Sequence, residues 1–368
     1  MMDETTSLLL ESFDKVLHDH CSAESLHACA QGGFDAGLWS VIEELGFNTA
    51  ALGEDKGGAG LRTSGLIALL RIAGRHCAPV PMAEALLLGP CLCAESGLEL
   101  PPGPVAVGPV IPEEELAISP AGTGWRLSGT LRRLAWPDKA SRLLVMCRSD
   151  DVYQLAAVNP ADCTVKTAVN LAGETRATVV FDSVSLTAVD VAPVRPGFTP
   201  DRLLELGALA RASLMVGALD AAMEQTLKYT LERKQFGRPI AKFQAVQHQM
   251  AQLACELAAA AAMVNQAAVL MERGAATEAV AAAKIRAGQA AGVGASIAHQ
   301  LHGAIGFTEE FPLQHVTRRL WAWRDEYGSE RYWSFKLGSA VADLGADAVW
   351  PLITQAPRNA KVQDQRNT

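Results

Sequence analysis

Arg233-Lys-Gln235-Phe236-Gly237-Arg-Pro239-Ile240, continued by Phe243-Gln244 and then Gln247-His248, is the stretch whose reading decides the fold. Gly237 and Pro239 make a tight turn between two long runs of helical periodicity, and the turn carries an arginine, an amide and an aromatic ring. A guanidinium pairs well with phosphate oxygens, so this trio suits a cofactor that bears both phosphates and a ring. The same residues also suit a plain helical hairpin, with the arginine in solvent and the phenylalanine in the core.

Working outward, residues 201 to about 345 are Ala- and Leu-rich with a helical period, and turns are expected at 237–243, 273–276 and 303–312. Four long helices joined by short connections imply an antiparallel bundle. Upstream, residues 98–198 change texture to short β-rich runs, Trp125-Arg-Leu127, Leu143-Leu-Val145 and Thr178-Val-Val-Phe181, separated by Pro, Gly and Asp turns. Residues 1–97 return to helical periodicity, with Leu38, Trp39, Ile42, Leu45 and Phe47 on one stripe and breaks at the glycine-rich 53–60 loop and at Pro79-Val-Pro81. The expectation is an α+β, mostly α chain of three units: an N-terminal helical domain (1–97), a small middle β domain (98–198) and a C-terminal four-helix bundle (199–368).

Composition narrows the function. A chain of 368 residues with 49% hydrophobic and 20% charged side chains has ample core-forming capacity. A formal charge of −8 argues against a nucleic-acid surface, which needs concentrated Lys and Arg. The eight cysteines show no paired C-x-x-C spacing, so neither a metal site nor a disulfide framework is expected. An acidic start without a secretory layout makes the cytoplasm the expected location. The Ala-rich 254–271 stretch, interrupted by Glu256, Asn265 and Gln266, reads as a buried helix rather than a membrane span.

The order Arg-x-Gln-Phe-Gly-x-Pro-Ile-x-x-Phe-Gln-x-x-Gln-His closely resembles the acyl-CoA dehydrogenase flavoenzymes, and a second segment, Gln300-Leu-His302-Gly303-Ala304-Ile-Gly306-Phe307-Thr308-Glu-Glu310-Phe-Pro312, resembles the same family. Leu-Trp-x-x-Ile-Glu-Glu-Leu-Gly at 38–46 and Ala73-Gly-Arg75 before Pro79-x-Pro81 look like its N-terminal pattern, so the resemblance spans essentially the whole chain. It implies FAD as cofactor, contacted by Arg233, Gln235 and Phe236 in one site and by Gln300, Gly303 and Gly306 across a subunit interface. The implied reaction is α,β-dehydrogenation of an acyl-CoA thioester to the 2,3-enoyl-CoA, with electrons passed to an electron-transfer flavoprotein. Implied assemblies are a homodimer, a homotetramer, or a heterotetramer with a related chain.

This sequence departs from the family at the catalytic base. Where many members carry Tyr-Glu-Gly-Thr with the glutamate as base, this chain has Glu326-Tyr327-Gly328-Ser329, so Tyr327 falls in the base register and the carboxylate is displaced by one residue. A phenol, with an ordinary pKa near ~10, accepts protons poorly at neutral pH. Glu326 is therefore a candidate base by a local slip, against the reading of a solvated charge beside Arg324 and Asp325. Other members place the glutamate early in the bundle; that register falls at Gly207, and nearby Glu205 is the second candidate, against the reading of a surface helix charge. His248 and His302 read as structural or surface histidines. In the β domain the family's flavin-lining stretches are reduced to Gly103–Gly108 and to 129–138, where Trp136 could pack on a flavin or in a core. Such abbreviated β domains resemble bacterial dehydrogenases of large ring-containing CoA thioesters, some built from two different subunits. A non-catalytic partner subunit that completes another chain's flavin site is thus the alternative function.

Overall fold

Asp35 starts the helix that carries the Leu38–Ile42 stripe by accepting the backbone N–H of Leu38 at 2.9 Å, and Gly46, at φ 72°, follows its end. The computed structural model describes residues 4–274, 276–347 and 350–351. The first helices are α1 (Glu4–His20), α2 (Ala23–Ala28), α3 (Ala36–Glu44), α4 (Thr63–Arg75) and α5 (Gly89–Ser96). A π-helical turn, Glu84–Leu88, leads into α5 and is buried throughout. That turn brings an ionisable side chain, Glu84, into the interior.

The middle unit is a single sheet of β1 (Val105–Gly108), β2 (Ala117–Ala121), β3 (Gly124–Ala135), β4 (Arg142–Ser149), β5 (Val152–Val158), β6 (Thr164–Val169), β7 (Thr175–Leu186) and β8 (Val191–Pro193). Its order is β6-β7-β3-β2-β4-β5-β8, with β1 alongside β4. The expected runs at 125–127, 143–145 and 178–181 lie inside β3, β4 and β7. Two register shifts break the β3–β7 ladder, between Leu127 and Gly129 and between Leu131 and Leu134, after which Ala135 pairs with Arg176. Bulges re-aim side chains, and here the start of β7 and the residue just before it deliver Arg176 and Glu174 into the protein interior.

Helix α6 (Pro200–Glu232) is the axis of the molecule: every residue from Leu203 to Leu219 is buried. Small residues let its neighbours approach closely, since a Cβ on Gly217 would strike the backbone of Arg71 in α4 and one on Gly74 would strike Leu214. A two-stranded hairpin, β9 (Lys234–Gln235) and β10 (Arg238–Pro239), connects α6 to α7 (Gln244–Glu272), which is followed by α8 (Thr277–His302), α9 (Leu313–Arg324) and α10 (Glu330–Leu344). Of the expected bundle, which runs to residue 368, positions 275, 348–349 and 352–368 lie outside the described residues. The architecture is α+β and mostly α, as the patterning implies.

Two helices, α6 and α7, are long and apolar enough to cross a membrane by length and composition. The apolar window of α6 is 89% buried within the protein, as expected of a core helix. The window of α7 is only 33% buried, which corrects the reading of 254–271 as a buried helix. Alanine is compatible with either environment, and α7 turns one face to its neighbours while the other faces outward.

Candidate active site and cofactor surface

The hairpin after α6 projects from the protein. Arg233, Gln235 and Phe236 are all exposed, with Phe236 at 92%. Phe236 sits at φ 52° and Gly237 at φ 76°, consecutive left-handed residues that reverse the chain and hold the ring outward. A large apolar ring held in solvent by a strained turn is costly unless something covers it. Arg238 lies over the Phe243 ring at 4.2 Å, stiffening the base of the hairpin.

The 300–306 segment ends α8 at the same end of the bundle. Tyr229, one turn before the hairpin, stacks on His302 with ring centroids 4.5 Å apart, so the ends of α6 and α8 are joined by aromatic contact. Gln300 and Gly303 are exposed, Gly303 with φ 64° and open space where a Cβ would stand. Gly306 is buried against His302 and Leu313, so close packing accounts for it. His302 is buried, with Nδ1 2.8 Å from the Ala298 carbonyl oxygen, and burial lowers its pKa. His248 is exposed.

The interior beside α6 holds an unbroken chain of charges. Its order is Glu84, Arg211, Glu326, Arg176, Glu174 and Arg319, three acids alternating with three bases. Arg211 donates to Glu84 at 2.8 Å and to Glu326 at 2.6 Å. Arg176 grips Glu326 from the other side, through Nε at 2.8 Å and a second guanidinium nitrogen at 3.1 Å, and also donates to Glu174 at 2.9 Å. Arg319 lies 3.3 Å from Glu174, and the Trp323 indole donates to Glu174 at 3.0 Å. Every member is nearly sealed from water, the most exposed being the Glu326 side chain at 11%. Burial by itself would raise the Glu326 carboxyl, but the charges and hydrogen bonds of Arg176 and Arg211 outweigh it and pull the value down to about 2. The residue read as a base or a solvated charge is therefore a doubly clamped carboxylate.

Tyr327 and Gly207, the two positions at which the resemblance would place a glutamate, meet face to face. Tyr327 is 3% exposed with φ 53°, and its ring lies where any side chain on Gly207 would project. Arg211 stands over the same ring at 5.3 Å. Burial raises the phenol's pKa, with Glu84 adding to the rise, so it is no proton acceptor. The turn that carries Glu326 and Tyr327 is fixed by buried Lys284, whose ammonium donates to the carbonyls of Trp323, Arg324 and Gly328 at 3.3, 2.6 and 2.9 Å. Glu205, the second candidate base, is also buried rather than at the surface. It accepts from Arg202 at 2.7 Å and from the Thr277 hydroxyl at 2.6 Å, tying α6 to α8. Trp136 takes the core alternative, with Arg176 over its ring at 5.1 Å.

These residues answer whether FAD fits, end by end. The exposed hairpin and the 300–303 edge suit the adenine side of the cofactor. The space around the ion chain does not suit a flavin ring: between Glu84, Trp136, Arg176, Arg211 and Trp323 the free volume is about 10 Å³, room for at most one water, whereas a cavity of about 560 Å³ opens beside it among Leu66, Leu87, Pro90, Cys91 and Leu206. Sequence reasoning missed Arg176, Arg211, Glu84 and Glu174. Their one signal was charge inside stretches otherwise apolar, as in Ala210-Arg211-Ala212.

Comparison with known proteins agrees with the fold. Residues 200–328 match the family described as acyl-CoA dehydrogenase, C-terminal domain. The acyl-CoA dehydrogenase IpdE2 of Mycolicibacterium smegmatis is 27% identical over 328 residues, covering 86% of this chain and 93% of that protein. Among solved structures, a variant of the Tcur3481-Tcur3483 steroid acyl-CoA dehydrogenase superposes with a TM-score of 0.82 at 28% identity, over 92% of this chain and 98% of that one. The ChsE4-ChsE5 complex from Mycobacterium tuberculosis superposes with a TM-score of 0.86 over 94% of this chain and 99% of that chain; at 21% identity it speaks for the fold alone.

Proposed function

The chain is a member of the acyl-CoA dehydrogenase family, and on that premise we propose that it works in the FAD-dependent α,β-dehydrogenation of an acyl-CoA thioester to the 2,3-enoyl-CoA, passing electrons to an electron-transfer flavoprotein. The observation that carries this reading is the projecting hairpin, whose Arg233, Gln235 and Phe236 offer a phosphate partner, an amide and an uncovered ring at one point. When bound, the cofactor supplies the acceptor for the hydride. This chain's residues bind its adenine side, through Arg233, Gln235 and Phe236 in one site and through Gln300 and Gly303 across a subunit interface. For Glu326 to take the α-proton, the 325–329 turn must first carry its carboxylate off both guanidiniums, because a base held at about 2 has little drive to accept a proton at neutral pH. Glu205 would have to leave Arg202 and Thr277 in the same way.

A second reading starts from the small free volume between Glu84, Trp136, Arg176 and Arg211. Here the chain is a partner subunit that completes the flavin site of a related chain and contributes no base, in a heterotetramer or comparable assembly within the cytoplasm. One experiment separates the two. The purified chain is followed anaerobically by visible absorption while a panel of acyl-CoA thioesters is added; bleaching of a bound flavin establishes the first reading, and a colourless chain the second. In either case Arg233→Ala should lower the flavin content of the assembly that contains the chain. Unchanged flavin would remove the hairpin from the cofactor site.

A further inference from the structure

We infer that His299 and His302 form an acid-sensitive latch, which holds the 300–303 edge to the hairpin end of α6 while both rings are neutral and releases it when they are protonated. The consequence for a bound cofactor rests on the function proposed above, whereas the latch itself stands on the geometry of the two rings.

Both histidines lie in the last turn of α8 and are buried, His299 at 7% and His302 at 3% exposure. Their hydrogen bonds fix which nitrogen carries the hydrogen. The Ala298 carbonyl can only accept, so His302 Nδ1, 2.8 Å away, bears the hydrogen and Nε2 the lone pair. The Thr317 hydroxyl donates to the Leu313 carbonyl, so His299 Nε2, 2.9 Å from that hydroxyl, is the donor and Nδ1 keeps the lone pair. The two nitrogens that keep lone pairs, His302 Nε2 and His299 Nδ1, are buried without a partner. A proton on either creates an N–H with no acceptor and a charge with no counterion.

The walls of the site are aromatic. His302 stacks on Tyr229 at 4.5 Å and leans on Phe311 at 5.0 Å, and His299 stacks on Phe307 at 4.2 Å and on Trp321 at 5.5 Å. Ring faces attract a cation, but by less than burial penalises one that lacks a hydrogen-bond acceptor. Burial lowers the pKa of both histidines, and His302 lowers that of His299 further. The titratable groups facing the pair are each other and the Tyr229 phenol. The charged residues nearest these rings in sequence, Lys228 and Glu232 on α6 and Glu309 and Glu310 after the 303–307 turn, are exposed. On α9, Arg318 bonds the Leu171 carbonyl, Arg319 lies against Glu174, and buried His315 is held down to about 4 by burial and then by Arg319. A histidine whose folded pKa lies below its unfolded value stabilises the closed form fully above about pH 6.5, and that stability is lost as the pH falls.

The test is backbone hydrogen exchange of residues 299–308 in the purified chain at pH 7.5 and 5.5, corrected for the intrinsic rate at each pH. The comparison is the double variant His299→Gln with His302→Asn, which keeps a donor to Thr317 and one to Ala298, leaves His315 in place and takes up no proton at these positions. One unit below the ordinary histidine value, opening rises by up to about tenfold per histidine, so we expect more than about threefold in the parent and no rise in the variant. A smaller rise in the parent, or an equal rise in both, would overturn the inference. Should the variant not fold, NMR of the parent's rings decides: at pH 6 both are to be neutral, with hydrogen on His302 Nδ1 and His299 Nε2, and a charged ring at that pH overturns the latch. Flavin reports on the edge separately. The assembly with the parent chain should lose flavin at pH 5.5 and that with the variant should keep it; equal retention by both would overturn the release. The proposed function fails in a different place, since Arg233→Ala with unchanged flavin removes the cofactor surface and leaves the exchange result standing.

Discussion

Replacing Glu326 by Gln keeps the shape of the side chain and removes one charge from a balanced set of six. Arg176 and Arg211 each retain one acid, Glu174 and Glu84, but the interior then holds three guanidiniums against two carboxylates. Removing one partner of a buried ion pair costs about 3–5 kcal/mol, because a charge is left without compensation where water cannot reach it. The carboxyl's own displacement gives a similar figure. A fall from 4.5 to about 2 is worth roughly 3 kcal/mol of stability at neutral pH. The sign follows from the direction of the shift: the folded value lies below the unfolded one, so this stability is fully present above about pH 5 and is lost as the pH falls towards 2. The assay is urea or thermal denaturation of the parent and Glu326→Gln at neutral pH and again near pH 3. We expect a loss of about 3–5 kcal/mol at pH 7, shrinking in acid. Glu326→Gln combined with Arg176→Gln, which restores the balance of charge, should recover part of the loss. A variant with unchanged stability but turnover reduced by about two to four orders of magnitude would refute this account and identify Glu326 as the base.

Two further outcomes follow from the same geometry. Gly207→Ala forces a methyl group into the Tyr327 ring and should destabilise the fold by about 1–3 kcal/mol or more, with Tyr327→Ala in the same chain relieving it; an additive pair in denaturation measurements would show that the two do not touch. Glu205→Gln should cost about 1–3 kcal/mol through the Arg202 and Thr277 bonds and leave the turnover of the assembly intact, and a fall in turnover at unchanged stability would make it a candidate base again.

Much of the architecture could be read from local pattern. The period of 3.6 before 97 and after 200, the period of 2 between, and the Gly and Pro punctuation report backbone geometry that neighbouring residues impose on one another. The hairpin at 233–240 was legible for the same reason, since a Gly/Pro turn between helices specifies its own conformation. The 254–271 helix was misplaced because alanine fits a core and a surface equally well, and its sequence carries no sign of which faces are covered. For Glu205 and Glu326 the surface-charge reading set against that of a candidate base fails because a carboxylate's surroundings depend on partners far along the chain: Arg176 is 150 residues from Glu326, and Arg211 is 115.

By itself, the sequence determined the resemblance to the acyl-CoA dehydrogenase family, the succession of helical, β-rich and helical stretches and the hairpin at 233–240, and it flagged the displaced carboxylate beside Tyr327. Those are matters of order and spacing along the chain. Only the tertiary structure decided what the displacement means, by bringing Glu326 between two arginines from a strand and a helix and by setting Tyr327 on Gly207. A charge's protonation and a ring's position are fixed by what surrounds them in space, and in a buried site those neighbours come from distant segments of the chain.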